Sequence, residues 1–358
     1  MACAAPVIPE HPRPRILIVD DSAVARAVLT QVVDAAERYV VAGAVGSATA
    51  ALTFLAREAV DLILLDLAMP GIDGLTALPD LLAASRGARI IVVSSSATEG
   101  AAATITALAL GAADTLTKPS GNGGDTSQFR GALLARLDRL AAAGPVAEPP
   151  LRAVSPTRVA QTAARAVGDA FAILAIGAST GGIHALGRFL GALPVSFTAP
   201  ILVTQHLPAS FMPYFAAQLA VLAGRPAEVA TDRLRLRPGR IVVAPGVAHL
   251  RCVPLPDGGA AVRLIRDPQA SGCMPSVDPM LTSVAEVFGG GAIGVILSGM
   301  GRDGAEGAAR LHEVGGCLLA QDRETSVVWG MPGAVAALAD AVLPPEALAA
   351  RVIEGRRS

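Results

Sequence analysis

The chain has 358 residues, a formal net charge of −1 and an apolar fraction of 52%. A chain of this length accommodates two domains, each with its own core. The near-neutral charge argues against a nucleic-acid partner bound through phosphate neutralisation. Aromatic residues make up only 3% of the chain and leave few stacking surfaces for bases. The cysteines are far apart and form no CxxC pair, which favours reduced thiols over a zinc site; they are Cys3, Cys252, Cys273 and Cys317.

The N-terminal segment is rich in proline and contains no apolar stretch typical of a signal peptide. No run in the chain approaches the roughly 20 apolar residues of a membrane span. These features predict a cytoplasmic protein without direct membrane insertion, in which residues 1–13 form a loose tail.

From Arg15 onward, short apolar runs alternate with alanine-rich segments of helical length. This alternation predicts a parallel α/β sheet covered by helices on both faces. The strands predicted in the first half are 16–19, 39–45, 62–65, 90–93 and 114–117.

Residues 139–167 contain Gly-Pro, Pro-Pro and Ser-Pro pairs, which predict an interdomain linker. The linker would separate a domain over residues 14–138 from a second domain over residues 168–356. The second domain repeats the α/β alternation and is predicted to be doubly wound and mostly parallel. Its predicted strands are 171–176, 201–204, 241–243, 262–265 and 293–297.

Acidic residues follow two strands of the first domain: Asp20 and Asp21 the first strand, and Asp66 the third. Because neighbouring parallel strands end at one edge of a sheet, these carboxylates are expected to converge. Such a cluster suits Mg²⁺, and Asp66 is then the natural nucleophile for an aspartyl phosphate. Lys118 and the Ser94 hydroxyl could contact the phosphate. The alternative is that these acids are helix caps or solvated turn residues.

The order of these residues resembles the receiver domain of bacterial response regulators. The matching features are Asp20-Asp21, Asp66 within LLDLAMPGIDG, Ser94 and Lys118-Pro119. The resemblance implies a flavodoxin-like fold that binds Mg²⁺ and is phosphorylated on Asp66 by a histidine kinase.

In the second domain, Ser179 lies in Gly-Ala-Ser-Thr-Gly-Gly, between an apolar strand and a helical segment. Glycines permit a tight turn that exposes the hydroxyl, and the start of the helix supplies N–H groups for an oxyanion. A dinucleotide-binding loop is the competing interpretation. That fingerprint, however, requires glycine where Ser179 stands.

A serine nucleophile needs a base and an acid that orients the base. Among the five histidines, only His206 directly ends an apolar strand, with His184 as the alternative base. Asp303 follows strand 293–297 in Ser-Gly-Met-Gly-Arg-Asp-Gly and could orient the base. The alternative role for Asp303 is the N-cap of the next helix.

These segments resemble the catalytic domain of the chemotaxis receptor methylesterase family. The matching strings are IGASTGG, QHLP, VAPGVAHL, PSVDPM, SGMGRDGA and AQD. The resemblance implies a Ser179, His206 and Asp303 triad, with Thr180 and the Met300 backbone near the reacting centre. It also implies hydrolysis of glutamyl methyl esters and deamidation of glutamines on chemoreceptors, without a cofactor in the hydrolase site.

The two resemblances together predict an enzyme controlled by phosphorylation, with chemoreceptors and a chemotaxis histidine kinase as partners. The receiver domain would lie over the hydrolase cleft and leave it after phosphorylation of Asp66. Two other classes are possible: a response regulator whose output domain binds a partner or nucleic acid, and a nucleotide-binding oxidoreductase. The first would require a basic helix-turn-helix after the linker, which the sequence does not display.

Overall fold

The computed structural model describes residues 13–94, 98–118, 126–142 and 171–355, which form two α/β units. In the first unit, the strands are β1 (Arg15–Val19), β2 (Val40–Val45), β3 (Leu62–Asp66), β4 (Arg89–Ser94) and β5 (Asp114–Thr117). The helices are α1 (Ala23–Asp34), α2 (Ala48–Leu55), α3 (Gly74–Ala84), α4 (Thr98–Leu110) and α5 (Thr126–Ala142). The five strands form a parallel sheet in the order β2-β1-β3-β4-β5.

The strands at the centre of this sheet are apolar on both faces because helices cover both faces. Every residue of β3 and β4 is buried. The first three helices begin at side-chain caps: Ser22, Ser47 and Asp73 each accept a hydrogen bond from the backbone N–H three residues later. Chain reversals at the ends of β1, β2 and β3 are therefore fixed locally.

In the second unit, the strands are β6 (Ile173–Ala178), β7 (Ile201–Gln205), β8 (Ala227–Val229), β9 (Ile241–Val243), β10 (His249–Pro254), β11 (Ala260–Ile265), β12 (Ala292–Ile296), β13 (Cys317–Gln321) and β14 (Ala341–Leu343). The helices are α6 (Gly182–Ala192), α7 (Met212–Ala223), α8 (Val277–Phe288), α9 (Ala305–Glu313), α10 (Met331–Val335) and α11 (Pro345–Glu354). Seven strands form a sheet in the order β14-β13-β12-β6-β7-β9-β8, and β10 pairs with β11 as a separate antiparallel hairpin.

The predicted fold class is confirmed: the two units have parallel sheets covered by helices. One predicted strand differs in its setting. The run 262–265 belongs to β11, which pairs with β10 across a turn at Asp257 and Gly258 and not with the main sheet. Val262 of this run belongs to the same buried cluster as residues of helix α8, which explains why the run has the apolar pattern of a core strand. Strands β8, β10, β13 and β14 were not predicted.

The predicted linker starts within α5, which continues to Ala142. The rest of the linker, the tail up to residue 12 and Cys3 lie outside the described residues. Within the described residues, we find no helix with both the length and the apolar character needed to cross a bilayer.

The two units share an apolar interface. Helix α4 of the first unit packs against α6 and α7 of the second. Leu108 of α4 belongs to the same buried cluster as Leu186 of α6 and Phe215 of α7. This contact sets the first unit beside the start of α6, where Ser179 lies.

Candidate active site

Ser179 lies in a tight turn between β6 and α6, at the carboxyl edge of the seven-stranded sheet. Gly181 in this turn has a φ of 74°, a left-handed conformation that glycine adopts without strain. Gly299 approaches so closely that a Cβ at that position would lie 2.9 Å from the Ser179 Cβ. The Ser179 N–H donates to the Ser298 carbonyl at 3.0 Å. The glycines therefore allow a second loop to fix the serine backbone.

Two further residues complete a hydrogen-bonded relay with Ser179. His206 follows β7 and Asp303 follows β12, the two strands that flank β6. The Ser179 Oγ lies 3.1 Å from His206 Nδ1, within hydrogen-bond distance, and His206 Nε2 donates to Asp303 Oδ2 at 2.7 Å. The structure thus brings together the three residues that were predicted from the sequence. They meet at the carboxyl ends of β12, β6 and β7, where the strand order changes direction.

Asp303 is buried, with 2% of its surface exposed, and its carboxylate is held by several donors. The Ser276 hydroxyl donates to Oδ1 at 2.5 Å, and the Val277 N–H donates to Oδ2 at 2.8 Å. The N-cap of helix α9 is Gly304. Asp303 is therefore not the N-cap of α9, the alternative role considered for it.

The relay shifts the pKa values of its members. Burial disfavours the charged imidazole, but the hydrogen bond to Asp303 and the nearby Cys273 outweigh burial and raise the pKa of His206 to about 9. Burial also opposes the charge on Asp303, yet hydrogen bonds from His206 and Ser276 hold its pKa well below the usual carboxyl range. Burial and the neighbouring Asp303 carboxylate raise the pKa of Asp278 to about 6.

The other residues predicted for this site lie outside the hydrogen-bonded relay. The alternative base, His184, turns towards the first unit, where its Nδ1 donates to the Ala109 carbonyl at 2.9 Å. Thr180 lines the cavity beside Ser179. Met300 directly follows Gly299, the residue that approaches Ser179, and its side chain is 45% exposed.

Sequence reasoning missed several supporting residues. Gln205 Nε2 donates to the Ser179 carbonyl at 2.8 Å, and its place at the end of β7 was a usable signal. The Ser276 N–H donates to His249 Nδ1 at 2.9 Å, which links a buried histidine to the loop that holds Asp303. Ser276 has the sequence signature of a helix cap, and it caps α8. That signature does not reveal its second bond, to Asp303.

A separate acid pocket lies at the carboxyl edge of the five-stranded sheet. Lys118 Nζ lies 2.8 Å from Asp20 Oδ2 and 2.7 Å from Asp66 Oδ2. Asp20, Asp21 and Asp66 each offer one oxygen within 4.8 Å of the others. Three converging carboxylates provide the oxygen donors that Mg²⁺ prefers, so these residues fit such an ion.

Two polar groups border this acid pocket. Burial opposes the charge on Lys118, but hydrogen bonds to Asp20 and Asp66 outweigh it and raise the pKa of the ammonium group. Ser94 is buried at the end of β4, and its hydroxyl lies 3.0 Å from the Thr104 hydroxyl of α4. Ser94 therefore lies between the acid pocket and the helix that contacts the second unit.

The first unit covers the Ser179 side of the relay. A cavity of about 50 Å³ between the units is lined by Ser179, His206, Ala113 and Asp114, among others. This space holds a few water molecules but not a polypeptide segment. The Gly181 N–H donates to the Ala113 carbonyl across the interface at 3.1 Å. In this arrangement a polypeptide segment does not fit into the cavity that Ser179 lines.

Comparison with known proteins covers both units. The family model for the CheB methylesterase matches residues 174–352, and the model for the response regulator receiver domain matches residues 16–124. The crystal structure of the Thermotoga maritima CheB methylesterase catalytic domain is 37% identical in sequence. It covers 51% of this chain and 97% of that chain, with a TM-score of 0.49.

Two curated relatives align along nearly the whole chain. Protein-glutamate methylesterase/protein-glutamine glutaminase 2 of Caulobacter vibrioides is 42% identical, over 96% of this chain and 99% of its own length. Protein-glutamate methylesterase/protein-glutamine glutaminase of Maricaulis maris is 39% identical, over 94% of both chains. Both resemblances noted in the sequence are confirmed. With its receiver domain ahead of a CheB methylesterase domain, the chain belongs to the protein-glutamate methylesterase/protein-glutamine glutaminase family of enzymes.

Proposed function

We propose that this protein hydrolyses glutamyl methyl esters on methyl-accepting chemoreceptors, deamidates specific receptor glutamines, and is activated by phosphorylation of its receiver domain. The observation that carries the proposal is the continuous relay from Ser179 through His206 to Asp303. The receiver domain extends over residues 14–138, the linker over 139–167 and the catalytic domain over 168–356.

The reaction proceeds by acyl transfer to Ser179. His206 Nδ1 accepts the hydroxyl proton while the Ser179 oxygen attacks the ester carbonyl. The tetrahedral intermediate collapses, and methanol leaves with the proton that His206 returns. Water then attacks the acyl-enzyme with His206 again as base, and this step releases the receptor carboxylate and restores the serine. A glutamine side chain follows the same steps with ammonia as the leaving group.

Asp303 orients and stabilises the base. It accepts the Nε2–H of His206, so the lone pair of the neutral imidazole lies on Nδ1, towards Ser179. It also balances the imidazolium charge that forms during each step. Because Ser276 and Val277 fix the carboxylate independently, its position does not depend on the protonation of His206.

The oxyanion needs backbone donors near Ser179. At the start of α6, the Gly181 N–H donates to Ala113 and the Gly182 N–H donates to the Ser179 carbonyl. The proposed oxyanion donors near the reacting centre are therefore the backbone amides of Thr180 and Met300. Departure of Ala113 would add the Gly181 amide to this set.

Activation begins in the acid pocket. Asp66 accepts a phosphoryl group from a chemotaxis histidine kinase, with Lys118 and Ser94 as contacts for the new phosphate. A Mg²⁺ ion held by Asp20, Asp21 and Asp66 would neutralise charge on the phosphate when it is bound. If Ser94 turns to the phosphate, it leaves Thr104 of α4. Since α4 packs on the catalytic domain, this change favours separation of the two domains.

The decisive experiment measures methanol release from methylated chemoreceptor membranes, with and without acetyl phosphate and Mg²⁺. We expect the phosphodonor to stimulate the intact protein. Ser179→Ala should lower release by at least about 10³-fold in both conditions. Release from this variant at the rate of the intact protein would refute the assignment.

The switch is tested in the same assay with Asp66→Ala. This variant should retain basal methanol release and lose stimulation by acetyl phosphate, because it lacks the acceptor carboxylate. The matched control is Asp80→Asn, which changes an exposed carboxylate on α3 and should be stimulated normally. Full stimulation of Asp66→Ala would contradict the switch while leaving the hydrolase assignment intact.

A further inference from the structure

One thiol in the described structure lies beside the relay, and the proposed reaction does not use it. Cys273 belongs to the loop between β11 and α8, and its sulfur lies within 4.8 Å of a His206 ring nitrogen. Its thiol also donates to the Ser271 carbonyl at 3.7 Å. Cys273 is partly exposed, whereas Cys252 and Cys317 are buried. An ion in solution can therefore approach Cys273 more readily than either buried thiol.

The thiol is part of a set of three donors. His206, Cys273 and Asp303 each offer one ligand atom, and the three atoms lie within 4.8 Å of one another. In a tetrahedral zinc site with bonds of about 2.0–2.3 Å, neighbouring ligand atoms are about 3.3–3.8 Å apart. The donors therefore need shifts of only about 1 Å to surround one ion. Such shifts are within reach of side-chain torsions for a loop cysteine.

The donor types select the class of ion. Thiolate sulfur, imidazole nitrogen and carboxylate oxygen together suit zinc and similar thiophilic cations, whereas Mg²⁺ prefers oxygen donors. The acid pocket, with three carboxylates, has the opposite preference. We propose that His206, Cys273 and Asp303 form an inhibitory site for zinc or a similarly thiophilic divalent cation.

Occupation of this site stops the relay whichever ring nitrogen binds. A metal on Nδ1 occupies the lone pair that accepts the Ser179 proton. A metal on Nε2 replaces the hydrogen bond to Asp303. The inhibitory effect rests on the proposed function, but binding of the ion does not.

The spacing of the cysteines in the sequence favours reduced thiols over a zinc site, whereas the proposed site takes one cysteine together with ligands of other types. The three ligands come from distant parts of the chain, after β7, before α8 and after β12. A spacing rule detects only ligands that are close in sequence. Here the parallel sheet and the loop from the β10–β11 hairpin bring the donors together.

The first test measures basal methanol release by the full-length chain at buffered free zinc, with saturating Mg²⁺ and no phosphodonor. Zinc should inhibit the intact protein, and Cys273→Ser should raise the half-inhibitory zinc concentration by at least about tenfold. Each variant is compared with its own metal-free rate, so a change in basal rate does not enter. Cys3→Ser is the control and should retain the zinc sensitivity of the intact protein. Equal inhibition of Cys273→Ser and the intact protein would overturn the proposal.

The second test reads the metal site without any turnover. Co²⁺ is added to full-length Ser179→Ala, in which the three proposed ligands remain. A thiolate-to-cobalt charge-transfer band should appear in the near-ultraviolet and should be absent when Cys273→Ser is added to this variant. Absence of the band from Ser179→Ala overturns the proposal. If the band appears in Ser179→Ala but the intact protein releases no methanol from methylated receptors, the metal site is supported and the proposed function is refuted.

Discussion

The two polar sites of this molecule differ in how their charges are balanced. In the catalytic domain, Asp303 receives hydrogen bonds from His206, Ser276 and the Val277 backbone. Both carboxylate oxygens therefore have protein donors, and the orientation of His206 is fixed before any substrate arrives. This site is organised by the polypeptide itself.

In the receiver domain, Asp20, Asp21 and Asp66 converge with Lys118 as the counter-charge for two of them. Such a cluster is suited to gain a cation and, under the proposed function, a phosphoryl group. Removal of single residues should therefore reveal most about the catalytic site. Addition of ligands should reveal most about the acid pocket.

The largest effect that tests this contrast is expected for Asp303→Asn. The asparagine keeps the shape of the side chain but carries an amide donor, so the imidazole loses the partner that fixes its tautomer. Methanol release by the phosphorylated protein should fall by about 10⁴-fold. Loss of this partner should also lower the pKa of His206, which moves the pH dependence of the residual activity to lower values.

The pH shift separates an orienting role from a structural one. A variant that is merely misfolded would lose activity without moving the pH profile of what remains. A loss of less than tenfold with an unchanged pH profile would show that the catalytic site is less dependent on Asp303 than the geometry indicates. Thermal unfolding of the same preparation verifies that the fold is retained.

A smaller effect is expected from pH on the intact catalytic site. To act as the proposed base, His206 must be neutral, and its pKa is raised to about 9. Methanol release should therefore rise about tenfold per pH unit well below this value, and by about 50-fold between pH 7 and pH 9, where half of His206 is neutral. Because folding favours protonated His206, its contribution to stability is complete below pH 6.5 and is lost as the pH rises through about 9.

Rates from Ser179→Ala, measured at each pH, give the spontaneous ester hydrolysis to subtract. An inflection near the ordinary histidine value would mean that substrate or domain opening removes the influence of Asp303 and Cys273 on His206. A profile of the same shape for phosphorylated and basal protein would show that the receiver domain controls access rather than the base.

The main residues of both sites could be predicted because they follow the ends of strands. Ser179, His206 and Asp66 follow strands whose apolar runs are evident in the sequence, and a parallel sheet brings such ends to one edge. Asp303 is reached in the same way, six residues beyond the predicted strand 293–297.

The supporting contacts could not be predicted because they depend on how loops fold back. Ser276 and Cys273 belong to a loop after the β10–β11 hairpin, and hydrophobic periodicity does not specify where this loop packs. His184 lies early in α6, close to Ser179 in sequence, which made it an alternative base. Its direction is set by the receiver domain, because its ring donates to Ala109 of α4.

The smallest expected effect concerns this contact between the domains. His184→Ala removes the hydrogen bond to the Ala109 carbonyl. This bond exists only when the domains are in contact, so its loss destabilises the closed state and not the open one. A net loss of about 1 kcal/mol from the closed state corresponds to about a fivefold larger open fraction. Basal methanol release should therefore rise about fivefold, while release with acetyl phosphate should change little.

The direction of this change distinguishes the two roles considered for His184. If it acted as the base, its removal would lower release in both conditions; if it holds the domains closed, basal release rises. His312→Ala, which changes an exposed histidine on α9, is the matched control and should leave both rates unaltered. An increase specific to His184→Ala would place the control of this enzyme in the α4 interface. The relay of the catalytic domain would then be assembled before activation, and phosphorylation would act on access to Ser179.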